Sequence, residues 1–286
     1  MTFRRIEGRG MEKQCDIGES VRKMLVEYAA LYETAGFLEG DPSQFMHRVD
    51  GDANREATAF LASCLSFGGR SQFLPKIGAL VDEAGGDVDD WVRTGKFEKF
   101  FRRGDGGCFY RFFTKDCMCS FLCRYRKLLD DFGTLGGYVR GECGGDGVAA
   151  VAAICRFFGN DGAAPVVPKN DASACKRVCM FLRWMVRSGS PVDLGLWADF
   201  IDRRTLAMPL DTHVVRQSVR LGLLKSAATS MRAARRLSGV LSGVFPDDPL
   251  KGDFALFGYG VNADRQRHEP RSMVGDSGFE PKTPTV

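Results

Sequence analysis

A chain of 286 residues, 44% apolar and 27% charged, has enough apolar material for one large domain or two modest ones sharing a cleft. It has no run of about 18 apolar residues, which argues against a membrane span. Its opening stretch MTFRRIEGRGMEKQ lacks the apolar core and small-residue cleavage site of a secretory signal. A net charge of +4 permits a nucleic-acid partner without demanding one, and the ten scattered cysteines read as reduced core thiols in the cytosol rather than disulfides.

Residues 1–19 are read as a leader outside the fold, with Met11 a second candidate start. From residue 20 the pattern is helical almost throughout. SVRKMLVEYAALYETAGFL (Ser20 to Leu38) carries apolar residues at three-to-four spacing, as an amphipathic helix does. DANREATAFLASCLSFG opens at Asp52, a good capping residue, and stops at Gly68-Gly69. SQFLPKIGALVDEAGG follows, with Pro75 in its first turns. FEKFFRRGDGGCFYRFF alternates rings with arginines. It fits a core cluster with a basic rim, although such groups also stack on bases. TKDCMCSFLCRYRKLLDDFG opens at Thr114 or Asp116 and closes at Gly133. DGVAAVAAICRFFGND, SACKRVCMFLRWMVRSGSP, the helix Thr212 to Leu221, AATSMRAARRLSGVLSGVF and DPLKGDFALFGYGV complete the set. Gly-rich loops are read at Gly104 to Gly107, Gly141 to Gly147 and Asn160 to Asp171, and no alternating strand pattern or internal repeat is found. The expected fold is all-α, roughly ten helices over residues 20–261. Residues 262–286, polar and proline-bearing, are expected to be disordered.

Two residues stand where chemistry is possible. Asp211 opens a helix in MPLDTHVVRQSVRLGLL. A helix cap explains it, because its side chain can accept backbone N–H groups. A catalytic carboxylate is the other reading, and the following His213 and VRxxxRLGLL pattern are what a cap leaves unexplained. Lys176 lies near the start of a helix with an apolar face of Val178, Phe181, Leu182 and Met185. The positive end of the helix dipole and desolvation both disfavour an ammonium there, and a neutral amine is a nucleophile. A solvated surface lysine beside Arg177 is the plainer reading. The loop VVPKNDASACKR before it, with Lys169, Lys176 and Arg177, is of a kind that holds phosphate on backbone N–H groups. Cys119 with Cys123, and Cys175 with Cys179, share helical faces and fit core packing, so no metal site is expected.

In their order along the chain these stretches resemble the helix-hairpin-helix DNA glycosylase superfamily, over roughly residues 50 to 260. ATAFLASCLSFGGRSQFLPKI is similar to its first helix pair. SACKRVCMFLRWMVR is similar to the helix after the hairpin, which in lyase-competent members starts with the nucleophilic lysine. MPLDTHVVRQSVRLGLL is similar to the segment with the catalytic aspartate, and DPLKGDFALFGYGV to the final core helix. More narrowly, CKRVCMFLRWMVR, DLGLW, MPLDTHV and DPLKGDFALFGYGV together resemble an uncharacterised bacterial family, DUF2400, and among glycosylases the archaeal 8-oxoguanine type. The sequence departs from the superfamily at the hairpin, where VVPKNDASACK stands in place of Leu-Pro-Gly-Val-Gly. The interval from Lys176 to Asp211 is longer than in the commonest members, and SGSPVDLGLWADFIDRRTLA within it has room for a further helix. No four-cysteine cluster follows the last helix, which excludes the iron–sulfur branch.

The resemblance implies two helical lobes with a cleft between them, and an enzyme that flips a damaged base, such as 8-oxoguanine, out of DNA and excises it with a lyase step. Lys176 would be the nucleophile and Asp211 the carboxylate that stabilises the sugar. Lys169, Arg177, Arg216 and His213 would contact phosphates or support the site. Arg70 and Gln72 would lie in a turn, Gly68 to Gln72, that fills the gap left by the base. Trp184 or Phe181 would stack on the base, although both also fit core packing. No cofactor and no metal is implied. The partner is double-stranded DNA with a damaged base or an abasic site, met by a monomer in the cytoplasm, at the nucleoid, with no membrane involved. Two other readings stay open: a non-catalytic DNA-binding protein on the same fold, and a structural helical protein in which Asp211 is a cap and Lys176 a surface residue.

Overall fold

The computed structural model describes residues 17–159, 166–168, 170 and 173–268. The fold is all-α. The described residues form eleven α-helices: α1 (Glu19–Tyr32), α2 (Asp52–Leu65), α3 (Arg70–Glu83), α4 (Val88–Arg93), α5 (Lys115–Phe132), α6 (Leu135–Cys143), α7 (Gly147–Gly159), α8 (Lys176–Val186), α9 (Thr212–Arg220), α10 (Met231–Leu241) and α11 (Lys251–His268). No described helix is long and apolar enough to cross a membrane.

Helix α2 is central. Nearly all of its side chains are buried, and Phe60 is ringed by Phe121 at 5.8 Å and by Tyr125, Phe158 and Phe181 at 5.2 Å each. Such edge-on and tilted ring contacts add to area burial. The buried thiols belong to this packing. Burial pushes Cys64 up to about 12 and Cys117 and Cys119 up to about 11, which keeps all three protonated.

Several local expectations change. The single helix expected over Ser20–Leu38 breaks after Tyr32, and Ala35–Leu38 forms a separate 3-10 turn. Glu33 is drawn inward there to Arg187, at 2.6 Å. Asp52 lies in the first turn of α2 rather than capping it, and Gly51 at φ 81° takes the cap position. A short antiparallel hairpin, β1 (Cys108–Tyr110) with β2 (Phe113–Thr114), interrupts the aromatic segment. Its rings behave as core, with Phe97, Phe101, Phe109 and Phe113 buried. The segment between α8 and α9 forms turns and one 3-10 turn, Arg203–Thr205, instead of a further α-helix. Helix α11 runs to His268, beyond the expected end at Val261, and residues 269–286 lie outside the described residues, as do 1–16 with Met11.

Helices α4 and α6 were not foreseen. LGGYVRGEC carries three glycines, which are weak helix formers. Contacts from elsewhere start the helix. The Glu56 carboxylate accepts from Leu135 N at 2.7 Å and Gly136 N at 3.1 Å, and Thr134 Oγ1 accepts from Gly137 N at 2.9 Å. Glu56 also accepts from Trp197 Nε1 at 2.9 Å. Glycine at 136 is what lets these groups converge, because a Cβ there would come within 2.6 Å of Trp197 Nε1.

Candidate functional site

Helix α8 starts from a left-handed residue. Cys175 has φ 45°, uncommon outside glycine, and its Sγ lies 3.8 Å from Cys155 Sγ and 3.4 Å from Ser173 Oγ. The turn delivers Lys176 at the first position of α8, at the positive end of the helix dipole. Lys176 Nζ donates to the Ser66 carbonyl, at the end of α2, at 3.4 Å.

The amine faces a cleft of about 620 Å³, a size typical of small-molecule sites. Its walls come from the turn between α2 and α3, the starts of α8 and α9, and α11. Burial disfavours the ammonium and holds the Lys176 pKa below the ordinary lysine value. The carboxylates of Asp211, Asp253 and Asp41 pull the other way through space and only partly offset it.

Asp211 is a helix cap, as one sequence reading has it, and it also stands at the cleft. It is the N-cap of α9, its Oδ1 accepting from Val214 N at 2.7 Å, and it lines the cleft with Lys176. The cap bond fixes the carboxylate's orientation rather than competing with a role in the cleft. Asp253, on the first turn of α11, is half-buried and accepts from Arg183. Burial raises its pKa against the pull of Arg183. Asp41 Oδ1 accepts from Ser43 N at 3.0 Å and Ser43 Oγ at 2.7 Å. Flat apolar surface comes from Phe37, Phe67, Phe73 and Phe257, with the Phe37 and Phe257 rings 5.1 Å apart. The arrangement joins a deprotonation-prone amine, oriented carboxylates and an aromatic slot, which suits nucleophilic attack on a flat ligand carrying a carbonyl-like carbon.

Below this floor runs a buried charge network. Arg183 bonds Asp193 at 3.2 Å as well as Asp253. Arg187 bonds Asp248 at 2.8–3.1 Å, Glu33 at 2.6 Å, and Asp193. Both guanidinium groups lie over the Phe254 ring, at 4.7 and 5.3 Å. The network locks α8, α11 and the end of α1 together, and so holds Asp253 beside Lys176.

The model of a family of proteins of unknown function, DUF2400, matches residues 41–262. The chain belongs to this family. No curated protein and no solved structure matches it. The matched span holds every cleft residue except Phe37.

Within this DUF2400 domain the other sequence candidates are placed in different ways. Arg70 and His213 join Lys176 and Asp211 at the cleft. Arg70 lies over the Phe257 ring at 5.5 Å and 3.8 Å from Asp41 Oδ2. The His213 ring sits in a notch left by Gly260, where any Cβ would clash with it, and its Nδ1 pairs with Arg216 at 3.2 Å. Arg216 and Gln72 are exposed outside the lining. Arg177 lines the cleft but is turned inward, donating to the Cys64 carbonyl at 2.5 Å and lying over Phe67 and Phe113. Trp184 and Phe181 are corrections: both are fully buried away from the cleft, and Phe181 packs on Phe60 and Trp197. Lys169 lies outside the described residues.

Sequence reasoning missed Asp253, Asp41, Met180, Arg183 and the four phenylalanines of the wall. A signal existed for some of them. Met180 and Arg183 lie four and seven positions after Lys176, on its stripe of α8, and Asp253 and Phe257 are spaced by one turn on α11.

Proposed function

We propose that this protein is a DNA base-excision glycosylase with β-elimination activity, acting on duplex DNA that carries a damaged base, with 8-oxoguanine the first candidate, or an abasic site. The observation that carries the reading is the meeting of Lys176 and Asp211, distant in sequence, in one aromatic-walled cleft where burial depresses the lysine. The order of these elements along the chain resembles that of the helix-hairpin-helix glycosylases, and this resemblance supports the reading.

In this mechanism an extruded nucleotide enters the cleft. The neutral Lys176 amine attacks the sugar C1′. A nitrogen–carbon bond forms, the glycosidic bond breaks, and the base leaves with its electron pair and takes up a proton. Asp211, held by its cap bond, stabilises the positive charge that develops on the sugar. Ring opening gives an iminium between Lys176 and C1′. Loss of a C2′ proton then expels the 3′ phosphate, and water releases the enzyme. The aromatic walls suit a planar base.

Borohydride reduces the iminium to a stable amine, so it tests the reading directly. Wild-type protein is expected to form a covalent adduct with abasic-site duplex, and Lys176→Met none. An adduct of equal yield in the variant would remove Lys176 from the mechanism. No adduct with the wild type on abasic or 8-oxoguanine duplex would overturn the lyase itself.

A further inference from the structure

The β1–β2 hairpin packs on Phe67 and Gly68, two residues of the cleft wall, and the chemistry above leaves it unused. Arg111 at φ 53° and Phe112 make its turn. Phe112 is 58% exposed, whereas its neighbour Phe113 is fully buried. A single exposed ring is ordinary on a protein surface. This one is held in place. It packs on Phe67 at 5.1 Å and on Phe113 at 4.8 Å. The Tyr110 hydroxyl donates to the Phe67 carbonyl, and the Arg111 guanidinium lies 5.7 Å over the Phe67 ring. Gly68 makes this docking possible: it has φ 85°, and a Cβ there would come 2.6 Å from an Arg111 nitrogen and 3.0 Å from the Tyr110 hydroxyl. The tip is thereby fixed to residues 66–68, which line the cleft and give Lys176 its acceptor at Ser66.

We infer that Phe112 is a wedge that enters the base stack of duplex DNA where the extruded nucleotide leaves it, with the Arg111 cation beside the flanking phosphate. This rests on the proposed function. Extrusion costs stacking energy, and an apolar ring placed in the gap restores part of it. A ring on a short, packed hairpin loses little freedom on insertion. The neighbouring arginine matches a polyanion rather than an apolar protein face. Gly68 to Gln72, expected as a turn that fills the gap, is instead the end of the α2–α3 connection and the first turn of α3, and it offers only glycine and polar side chains.

The test compares full-length wild type, Phe112→Ala and Phe112→Leu on one abasic-site sequence in two forms, duplex and single-stranded. Single-stranded DNA needs no wedge. Phe112→Ala is expected to slow borohydride trapping about tenfold on duplex, the scale of one lost stacking contact, and to leave the single-stranded rate unchanged. Phe112→Leu restores most of the duplex rate. A 2-aminopurine next to the site brightens on binding of wild type and less so with Phe112→Ala. An exposed position predicts unchanged melting in both variants. Equal rates for all three proteins on duplex, or equal slowing on both forms, would overturn the wedge while leaving the lyase standing. A wild type that neither traps nor binds either form would overturn the proposed function, and the wedge with it.

Discussion

Helix α8 carries Lys176 on its first turn, Arg183 near its last and Arg187 just beyond it, and its two ends treat buried positive charge differently. At the far end each guanidinium meets carboxylates directly. Burial works against the charge of Arg187, but hydrogen bonds to Asp248 and the charges of Asp193, Asp248 and Glu33 outweigh it and raise its pKa. At the near end three carboxylates act on Lys176 through space, and burial wins. The side chains suit these roles. An arginine cannot give up its proton inside a protein, so it has to be paired, whereas a lysine can lose its charge. One end of the helix is built to hold the fold. The other holds an amine whose charge burial disfavours, at a cost in stability.

Removing one cation from each end should break that likeness most visibly. Arg187→Met leaves Asp193, Asp248 and Glu33 facing one another without their main counter-charge. Breaking a buried pair this way costs about 4 kcal/mol, roughly 10 °C in Tm for a domain of this size. Lys176→Met removes a desolvated amine and puts an isosteric apolar chain in its place, so melting stays the same or rises while trapping disappears. Thermal unfolding of both variants checks the contrast. Equal losses in both would mean that Lys176 is a structural cation like the arginines.

A smaller effect is expected at Glu56, which extends the comparison to a buried acid. Its carboxyl is raised to about 7, because burial outweighs the donors from Trp197, Leu135 and Gly136. A carboxyl whose folded pKa exceeds its unfolded value binds its proton more tightly in the folded state. Its contribution is therefore complete below about pH 4.5 and is lost as pH rises through about 7. Glu56→Gln should flatten the fall in stability across that window. Glu56→Ala strands three donors and is expected to cost about 3 kcal/mol at pH 5. Chemical denaturation at pH 5 and pH 8 measures both. A wild-type stability that climbs between those values would reverse the sign assigned to Glu56.

The same residues show what the sequence could and could not disclose. Helices α8, α9 and α11 were legible because each shows a strong periodic pattern or a recognisable start, and Lys176 and Asp211 were found because they stand at two such starts. Helix α6 was hidden because its three glycines mask the local cap Thr134, and the acceptor for its first N–H groups, Glu56, lies 79 positions upstream of Leu135, where propensity does not reach. Asp253 and Asp41 were hidden for a like reason, since nothing local separates a carboxylate at a cleft from one in solvent. Trp184 and Phe181 took the core packing that the sequence also offered, not the base contact that the resemblance implied, because α8 is apolar on most of its circumference. The charged stripe through Lys176 and Arg183, not the aromatic side, is the one that meets the cleft.

The subtlest expectation concerns the charges that act on Lys176 without touching it. Asp211 is the largest of the three that favour the ammonium. Asparagine caps a helix about as well as aspartate, so Asp211→Asn should change stability by less than about 0.5 kcal/mol. Loss of the negative charge should lower the Lys176 pKa further and carry the rising limb of the trapping profile on abasic DNA to lower pH. Abasic DNA has already lost its base, so trapping does not need the carboxylate's help in expelling one. Excision of an intact damaged base does, and should fall by about a hundredfold or more. The two substrates therefore separate the electrostatic role of Asp211 from its role at the sugar. A profile on abasic DNA that stays in place, with excision also unchanged, would leave Asp211 as a helix cap alone and make Asp253 the carboxylate to substitute next.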